Sequence, residues 1–307
     1  MYSETTLQHH LAEGLRPIHR QEIIERVTDS FQRAWLESTA TLNSGMFLEI
    51  APKSKMHTIS NEQLSVAMRC RIRMKLNQII PKRQCKCKQN IDQYGAHLLI
   101  GCCRSDRIWV HNICTQQIQK TLEACDVITK YEPLHIFQSV DGNNNQRPDL
   151  CCFNLAGYGS QPVILDTMLT CPYPPSGGQL TFLEATKPLR AAENGENYKN
   201  NMHKYKILAP AGGYGFKPLI IETSGTLGKS LEKILEKNIE KAADKRKIPT
   251  TILWRYWISA LSIVYQRTAA SAILQNIYRN RERINDIEVT REAIMDFDFR
   301  DVDVVRK

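Results

Sequence analysis

A short stretch of the chain, QCKCKQNIDQYGAHLLIGCC, concentrates residues that bind soft metal ions. Cys85, Cys87, His97 and Cys102 follow the spacing C-x-C-x9-H-x4-C, and Cys103 could replace Cys102 as the fourth ligand. Such thiolate and imidazole groups can close a tetrahedron around one zinc ion, and four protein ligands leave no position for a catalytic water. The first gap is narrower than is usual for zinc sites. We therefore expect a structural zinc knuckle, with a chance cluster of packed thiols as the alternative.

The rest of the composition favours a metal over disulfide bonds. The chain has ten cysteines, and its first residues, MYSETTLQHHLAEGLRPIHR, lack the apolar core of a secretory signal. The longest apolar candidate for a membrane span, TILWRYWISALSIVY, is too short and contains Arg255. We therefore expect a reducing compartment, the nucleus or otherwise the cytoplasm, where stable disulfides are rare and Cys/His clusters more often bind zinc.

Two aspartates occupy positions in predicted strands. Asp149 lies in RPDL and Asp166 in VILDTML, where apolar neighbours make a buried carboxylate costly unless it has a partner. Two carboxylates on neighbouring strands repel each other, and a divalent cation relieves that repulsion while supplying a Lewis acid for phosphodiester cleavage. The alternative interpretation makes Asp149 a turn residue after Pro148 and Asp166 an acid at the end of a strand.

The overall charge of the chain indicates a class of partner. Lys and Arg outnumber Asp and Glu by 41 to 32, which gives a formal net charge of +9 and a pI near 9.0. This charge favours a polyanion such as nucleic acid, although charge alone is a weak criterion. The length of 307 residues and the hydrophobic fraction of 42% are those of an ordinary globular protein with a sizeable core.

Helices are predicted on both sides of the knuckle from the spacing of apolar residues. The segment RQEIIERVTDSFQRAWLEST places Ile23 and Phe31 on one stripe, and NEQLSVAMRCRIRMKLNQII turns Ile72 inward. The segment VHNICTQQIQKTLEACDVI predicts a helix after the knuckle. Basic residues cover the remaining surface of the second helix, which is either solvated or bound to phosphate: Arg69, Arg71, Arg73 and Lys75.

The apolar period then changes to that of a sheet. The runs HIFQSV, RPDLCCFNL and PVILDTMLT are rich in β-branched and aromatic residues and are separated by turn sequences, so they predict adjacent, hairpin-linked strands. LRAAENGENYKNNMHKYKIL predicts a helix despite one glycine, FKPLIIETSG a buried strand and LGKSLEKILEKNIEKAADKRK a further helix. This order predicts an α/β sandwich with a mixed sheet.

The last apolar segment, LWRYWISALSIVYQRTAASAILQNIYRNRER, predicts a long helix whose inward stripe includes Trp257, Leu261 and Ile273. Its basic residues lie largely off that stripe, and they form either a solvated face or a DNA-contacting face. These residues are Arg255, Arg267, Arg279, Arg281 and Arg283.

Several motifs occur in one order along the chain: CKC, GAHLLIGC, RIWVHN, YEP, RPD, ILD and HKY. In this order the chain resembles the restriction-like endonuclease of site-specific non-LTR retrotransposons, from roughly Trp35 to the C-terminal helix. The resemblance implies an α/β, PD-(D/E)XK restriction-endonuclease-like core with a mixed sheet, preceded by helices and a CCHC zinc knuckle. It divides the chain into a helical linker region (1–80), the knuckle (81–112), the endonuclease core (113–235) and a C-terminal helical region (236–307).

Site residues follow from the resemblance, motif by motif. Asp149 matches the acid of the PD motif and Asp166 the second metal-binding acid, so both would hold Mg²⁺ or Mn²⁺ with help from Glu132 in YEP. Lys204 and Tyr205 match the K-Y pair that ends K-x-x-K-Y. The segment R…H-N, which joins knuckle and core, is matched by Arg107, His111 and Asn112. Contacts to nucleic acid are expected from Arg107, His111 and Arg147.

Two departures from the family pattern bear on the lysine that would stabilise the phosphate. Met168 stands where many such nucleases carry a lysine, a departure that the family shares by moving its lysine onto the helix. Asn201 replaces the first lysine of K-x-x-K-Y, which leaves Lys199 and Lys204 as candidates. On one continuous helix these two differ by roughly 140°, so both could not easily face one phosphate. We favour Lys204, because it keeps the K-Y pairing.

The resemblance implies a divalent-metal-dependent DNA endonuclease related to the target-nicking domain of these elements. The first alternative is a catalytically inactive, zinc-containing nucleic-acid-binding module derived from such an element, and the second is a structural, zinc-dependent interaction protein. The 80 residues before the knuckle are too few for a reverse transcriptase, so we expect a detached linker, knuckle and endonuclease. The expected partners are DNA and, as an alternative, the RNA of a retroelement, with no membrane.

Overall fold

The computed structural model describes residues 18–19, 21–23, 25–49, 54–76, 85, 87–101, 105–134, 136–137, 147–173 and 182–277. The longer helices are α1 (Ser30–Thr39), α2 (Asn61–Arg71), α3 (Ser105–Ala124), α4 (Arg190–Asn201), α5 (Lys229–Arg246) and α6 (Thr250–Ile277). Shorter helical turns are Leu42–Leu48, Lys55–His57, His97–Gly101, Phe182–Ala185, Lys204–Leu208 and Ala209–Ala211. The strands are β1 (Ile128–Tyr131), β2 (Leu150–Phe153), β3 (Val163–Thr170) and β4 (Gly215–Glu222).

The described strands form one mixed sheet in the order β1-β2-β3-β4. The pairs β1–β2 and β2–β3 are antiparallel, whereas β3 and β4 are parallel. A parallel pair needs a crossover connection, and α4 lies in that connection. The predicted mixed sheet of an α/β protein is therefore confirmed.

Helices cover both faces of the sheet. Successive side chains of β3 point to opposite faces, so each face contributes apolar residues to a different cluster. Val163 and Leu165 pack into an apolar core with residues of α3, α5 and α6. Ile164 packs on the other face with Tyr205 and Leu208 of the turn that follows α4. This arrangement directs the next even-numbered residue, Asp166, toward the α4 face of the sheet.

One strand lies earlier in the chain than the sequence predicts. In the run HIFQSV, Ile136 and Phe137 lie in turns, and the other positions are outside the described residues. The edge strand is instead β1, whose first residue, Ile128, the apolar pattern assigns to the preceding helix. That helix ends earlier because Asp126 adopts a left-handed conformation, with φ of 63°, which stops the helical backbone.

The apolar pattern of the first predicted helix is interrupted, because residues 21–23 and 25–26 are helical but residues 27–29 are not, and the second predicted helix ends at Arg71. Helix α1 begins at Ser30, where the Asp29 carboxylate accepts the backbone N–H of Gln32 at 2.6 Å and caps the helix. Ile23 and Ile72 are 55% and 62% exposed, so the prediction that they join inward stripes is wrong. Ile23 lies in the helical residues before the break, and Ile72 follows the last residue of α2.

Two arginines of the predicted basic surface turn into the protein. Arg71 donates to the carbonyl oxygens of Ser44 at 2.9 Å and Thr39 at 3.1 Å. The guanidinium carbon of Arg73 lies 4.5 Å and 4.6 Å from the ring centroids of Tyr94 and Tyr173, which are cation–π contacts. These arginines therefore stabilise the fold, and the alternative that the whole surface binds phosphate does not apply to them.

The predicted C-terminal helix is confirmed as α6, and its predicted inward residues Trp257, Leu261 and Ile273 are buried. It packs against α2, α3 and α5, so its apolar surface is covered from several directions. No helix in the described part of the chain has both the length and the apolar character to cross a membrane.

The arginines of α6 have different surroundings. Arg267 is only 8% exposed and donates to the carbonyl oxygens of Lys55 at 3.3 Å and Thr58 at 3.2 Å, so it does not belong to a DNA-contacting face. Arg255 is exposed and lies 3.8 Å from Glu49. The remaining candidates, Arg279, Arg281 and Arg283, lie outside the described residues.

Gly195 allows α4 to lie close to the sheet. An added Cβ at this position would sit 3.3 Å from Cγ2 of Ile220 in β4. We expect Gly195→Leu to lower the free energy of unfolding in urea by about 2–3 kcal/mol, because the larger side chain overpacks this contact. Asn200→Leu, at an exposed position of the same helix, is the control and should change it by less than about 0.5 kcal/mol. Equal effects at both positions would contradict the close packing.

Candidate functional site

The knuckle residues that the structure describes converge as predicted. The ligand atoms of Cys85, Cys87 and His97 all lie within 4.8 Å of one another, and Cys87 Sγ is 3.2 Å from His97 Nε2. Two sulfur atoms and one imidazole nitrogen are ligands that zinc prefers, so this zinc-ligand cluster can hold a metal such as zinc. The two alternatives for the fourth ligand, Cys102 and Cys103, lie outside the described residues.

Local contacts orient the zinc-ligand cluster. The Asp92 carboxylate accepts the backbone N–H groups of Tyr94 at 2.9 Å and His97 at 2.6 Å, which fixes the start of the turn that carries the histidine. Burial outweighs the nearby charge of Asp92 and lowers the pKa of His97, which favours the neutral ring that coordinates metals. Cys85 is buried in the same apolar cluster as Ile273, which ties the ligands to α6.

The two predicted acids lie on adjacent strands. Asp149 immediately precedes β2 and Asp166 lies within β3, and the residue after the first acid, Leu150, pairs with Leu165. Asp149 Oδ2 accepts the backbone N–H of Thr167 at 2.6 Å, so this carboxylate lies beside the residue that follows Asp166. The structure therefore brings the two acids to one place on the sheet.

Asp166 is surrounded by donors from the segment that begins in α4. The Lys199 ammonium contacts Oδ2, and the Tyr205 hydroxyl donates a hydrogen bond to Oδ1. Lys204 Nζ lies 3.9 Å from Oδ1, and the Asp166 side chain is only 5% exposed. A buried carboxylate is costly unless it is paired, and these three groups supply the pairing.

A break in the helix brings both lysines to the same carboxylate. Helix α4 ends at Asn201, Met202 is extended with ψ of 134°, and a separate π-helical turn begins at Lys204. The expectation that Lys199 and Lys204 lie about 140° apart on one continuous helix is therefore wrong. The physical reason is that the extended residue resets the rotation between the two lysines.

Burial shifts the pKa values of both Tyr205 and Lys204. Burial, together with the charge of Asp166, raises the pKa of Tyr205 well above its ordinary value, so its hydroxyl remains a hydrogen-bond donor. The Tyr205 ring stacks on Phe216 with centroids 3.9 Å apart, and Lys204 Nζ lies 4.5 Å from the Tyr205 centroid. Burial lowers the pKa of Lys204 despite the opposing charge of Asp166.

His111 of α3 faces Asp149. His111 Nε2 lies 3.1 Å from Asp149 Oδ2 and 3.1 Å from the Thr167 carbonyl oxygen, while Nδ1 lies 3.0 Å from Asn112 Oδ1. Burial opposes the charged ring, but the hydrogen bond and charge of Asp149 raise the pKa of His111 to about 9. Burial also opposes the ionised Asp149, yet its bond to His111 lowers the pKa of Asp149. The structure thus places His111, expected at nucleic acid, in an ion pair with the first acid.

The ion pair predicts how stability depends on pH in zinc-loaded protein without Mg²⁺ or Mn²⁺. The pKa of His111 is raised to about 9, so its contribution is complete below about pH 6.5 and is lost as the pH rises through 9. We expect this loss to be at most about 3 kcal/mol in urea unfolding under reducing conditions. The free energy of unfolding of His111→Gln should not show this fall between about pH 6.5 and 9. If the variant and the wild type lose stability in parallel as the pH rises, the ion pair is contradicted.

The remaining predicted residues lie around the acids. Arg147 Nη1 is 3.3 Å from Glu132 Oε2. Arg147 and Arg107 are exposed, and Glu132 is partly exposed. The backbone N–H of Glu132 donates to the Asp149 carbonyl oxygen at 2.7 Å. Among the described residues, however, the Glu132 carboxylate does not form a metal-ligand cluster with Asp149 and Asp166. Help from Glu132 in holding a metal would require its side chain to leave Arg147.

The sequence patterns do not single out Glu222, a buried carboxylate at the end of β4 that is 1% exposed. It accepts hydrogen bonds from the Ser38 hydroxyl of α1 and from the backbone N–H of Ala192, at 2.9 Å, in the first turn of α4. Burial raises the pKa of Glu222. The only sequence signal for Glu222 was its position as an acid at the end of an apolar strand. Its hydrogen-bond partners are remote in the chain, so no local pattern could indicate them.

No protein-family model and no curated protein matches this chain. The side-chain chemistry of the zinc-ligand cluster and of the two acids therefore carries the functional argument.

Proposed function

We propose that the chain is a DNA endonuclease that depends on Mg²⁺ or Mn²⁺, with its mixed sheet as a PD-(D/E)XK core. The observation that carries the proposal is the acid-lysine cluster, which comprises Asp149, Asp166, Lys199, Lys204 and Tyr205. Phosphodiester cleavage needs oxygen ligands for a hard cation and positive charge near the phosphate. The two acids and the two lysines provide both.

The residues present fit a divalent cation of this type. Mg²⁺ and Mn²⁺ prefer carboxylate oxygens, and proteins commonly hold Mg²⁺ with one or two carboxylates together with water and substrate oxygens. Both described contacts of the Asp149 carboxylate use Oδ2, so Oδ1 can take a further ligand. Asp166 offers two oxygens, each with a second lone pair beside its present donor. When bound there, the cation would polarise the phosphate and lower the pKa of a bound water.

The residues of the chain itself have separate tasks in this proposal. Lys199 and Tyr205 hold the Asp166 carboxylate in place, and His111 holds the Asp149 carboxylate. Lys204 lies farther from Asp166 and would place its ammonium beside the phosphate, where negative charge develops during cleavage. Arg107 and Arg147 are exposed and would contact the DNA backbone.

Nicking of supercoiled plasmid tests the proposal. Zinc-loaded protein should convert supercoiled to open-circular DNA with Mg²⁺ or Mn²⁺, and the reaction should stop when a chelator is added. Asp149→Asn should be inactive under the same conditions. Absence of nicking by folded, zinc-loaded wild-type protein with either metal would refute the enzymatic proposal.

A second candidate, a catalytically inactive nucleic-acid-binding module, is favoured by one observation. Asp166 is already neutralised by Lys199 and hydrogen-bonded by Tyr205, so the protein satisfies this carboxylate without a metal. Under this candidate, electrophoretic retardation of DNA should occur without divalent metal, and nicking should be absent with every metal. If the chain is instead a structural zinc-dependent interaction protein, the third candidate, we expect no electrophoretic retardation of DNA.

The two lysines should differ in their effect on nicking. We expect Lys204→Ala to reduce the rate at saturating DNA by about 10²-fold, because it removes the charge that would face the phosphate. Lys199→Ala should have a smaller effect, since Lys204 and Tyr205 still contact Asp166. Lys233→Ala, at an exposed position of α5, is the control and should keep the wild-type rate. A larger loss in Lys199→Ala than in Lys204→Ala would exchange the two roles.

A further inference from the structure

The exposed side of α4 forms an open groove that ends at Met202, two residues before Lys204 of the acid-lysine cluster. Its lining residues are Asn194, Asn197, Tyr198, Asn201 and Met202. The first four follow the spacing i, i+3, i+4, i+7, which places them on one face of the helix. The Tyr198 side chain is 60% exposed, which is unusual for so large an aromatic residue.

The chemistry of this groove suits the edges of bases. Each asparagine carries a donor and an acceptor, the pair that matches N6 and N7 of adenine in the major groove. Within the described residues, the side-chain amides of Asn194 and Asn197 make no hydrogen bond to the protein. The neighbouring Tyr198 ring can contact the methyl group of thymine. The lining residues carry no charge, so the groove lacks the groups that bind phosphate.

The surroundings of the groove supply the missing charge. Lys199 follows Tyr198 directly and reaches Asp166, and Lys204 lies just beyond the helix. Lys206 contacts Asn201 Oδ1 at 3.2 Å, which places a further ammonium at the end of the groove. A DNA strand whose phosphates follow Lys204 and Lys206 would therefore present its neighbouring bases to the exposed side of α4.

We infer that α4 reads A·T base pairs in the major groove of duplex DNA next to the cleaved phosphate, through Asn194, Asn197 and Tyr198. This inference rests on the proposed function and adds the sequence preference of its substrate. Helix α4 is 12 residues long, about 18 Å, which suits insertion into the major groove. Base contacts of this kind specify sequence, while the lysines fix position on the backbone.

Selection from a randomised duplex library, without divalent metal, tests the inference. Wild-type protein should select A·T pairs at one or two positions and discriminate against G·C there by about tenfold. Asn194→Ala/Asn197→Ala and Tyr198→Ala should lose that preference, while the dependence of retention on salt stays unchanged because no phosphate contact is removed. Asn200→Ala, exposed on the same helix but outside the groove, is the matched control.

The outcomes separate this inference from the proposed function. If wild type nicks plasmid but selects the same sequences as the variants, the base-reading role of α4 is refuted and the endonuclease stands. If the variants lose affinity only for single-stranded DNA, the groove stacks unpaired bases and the duplex assignment is refuted. If wild-type protein retains DNA but never nicks it, the library selection still decides the role of the groove.

Discussion

Replacement of Asp166 by asparagine is expected to slow metal-dependent nicking by about 10³-fold or more. Asparagine has nearly the same shape and can still accept the Tyr205 hydrogen bond, but it loses the charge that would hold the cation. Lys199 and Lys204 also lose their shared counter-charge. A loss of about 4 kcal/mol in transition-state stabilisation corresponds to this factor. The measurement is the initial rate on supercoiled plasmid at saturating DNA.

An acid on the surface of α4 provides the control for this substitution. Glu193 is partly exposed and pairs with Lys229 at 2.6 Å on the surface, so Glu193→Gln should retain the wild-type rate. DNA retention by Asp166→Asn should persist or strengthen, because the variant removes negative charge from the site. If Asp166→Asn keeps the wild-type rate and its zinc content, the Asp166 carboxylate takes no part in the chemistry.

Loss of zinc should produce the largest change in stability. We expect one zinc ion per chain by native mass spectrometry, and Cys87→Ser should lose it. Structural zinc contributes several kcal/mol, because the ion binds the folded loop and not the unfolded chain. Cys85 belongs to an apolar cluster with Ile273 and Leu274 of α6, so the loss should lower the free energy of unfolding beyond the loop itself.

A buried cysteine outside the zinc-ligand cluster controls for the loss of a thiol. Cys125 lies at the end of α3, and Cys125→Ala should keep the zinc and lose about 1 kcal/mol. Fully folded, metal-free wild-type protein whose Cys85 and Cys87 react with an alkylating reagent would contradict the zinc site.

The sequence predicted those parts of the fold in which apolar spacing and chain geometry agree. Strands β2, β3 and β4 and helices α5 and α6 follow such patterns, because their buried residues lie in continuous or periodic runs. Strand β1 was missed because the apolar pattern of α3 continues past Asp126, whose left-handed backbone ends the helix. Backbone conformation at a single residue leaves no trace in a hydrophobic period.

The same limit applies to the candidate site. The Cys/His spacing and the acids in RPDL and VILDTML predicted the residues that the structure brings together, because these signals are local. The contact between His111 and Asp149 and the helix break at Met202 depend on packing between remote elements. The spacing of arginines likewise does not show whether a given arginine faces solvent. Arg71 belongs to the predicted basic surface, yet it donates hydrogen bonds to backbone carbonyl oxygens inside the protein.

Glu222 makes the region before the knuckle part of one cooperative unit with the sheet. Its carboxylate joins the end of β4 to Ser38 of α1 and to Ala192 at the start of α4. Removal of α1 would leave a buried acid without one of its donors, which costs about 1–3 kcal/mol. Amide hydrogen exchange in α1 should therefore be as slow as in β4. Because α4 also carries Lys199, the position of this lysine beside Asp166 would depend on a helix that contributes no residue to the acid-lysine cluster.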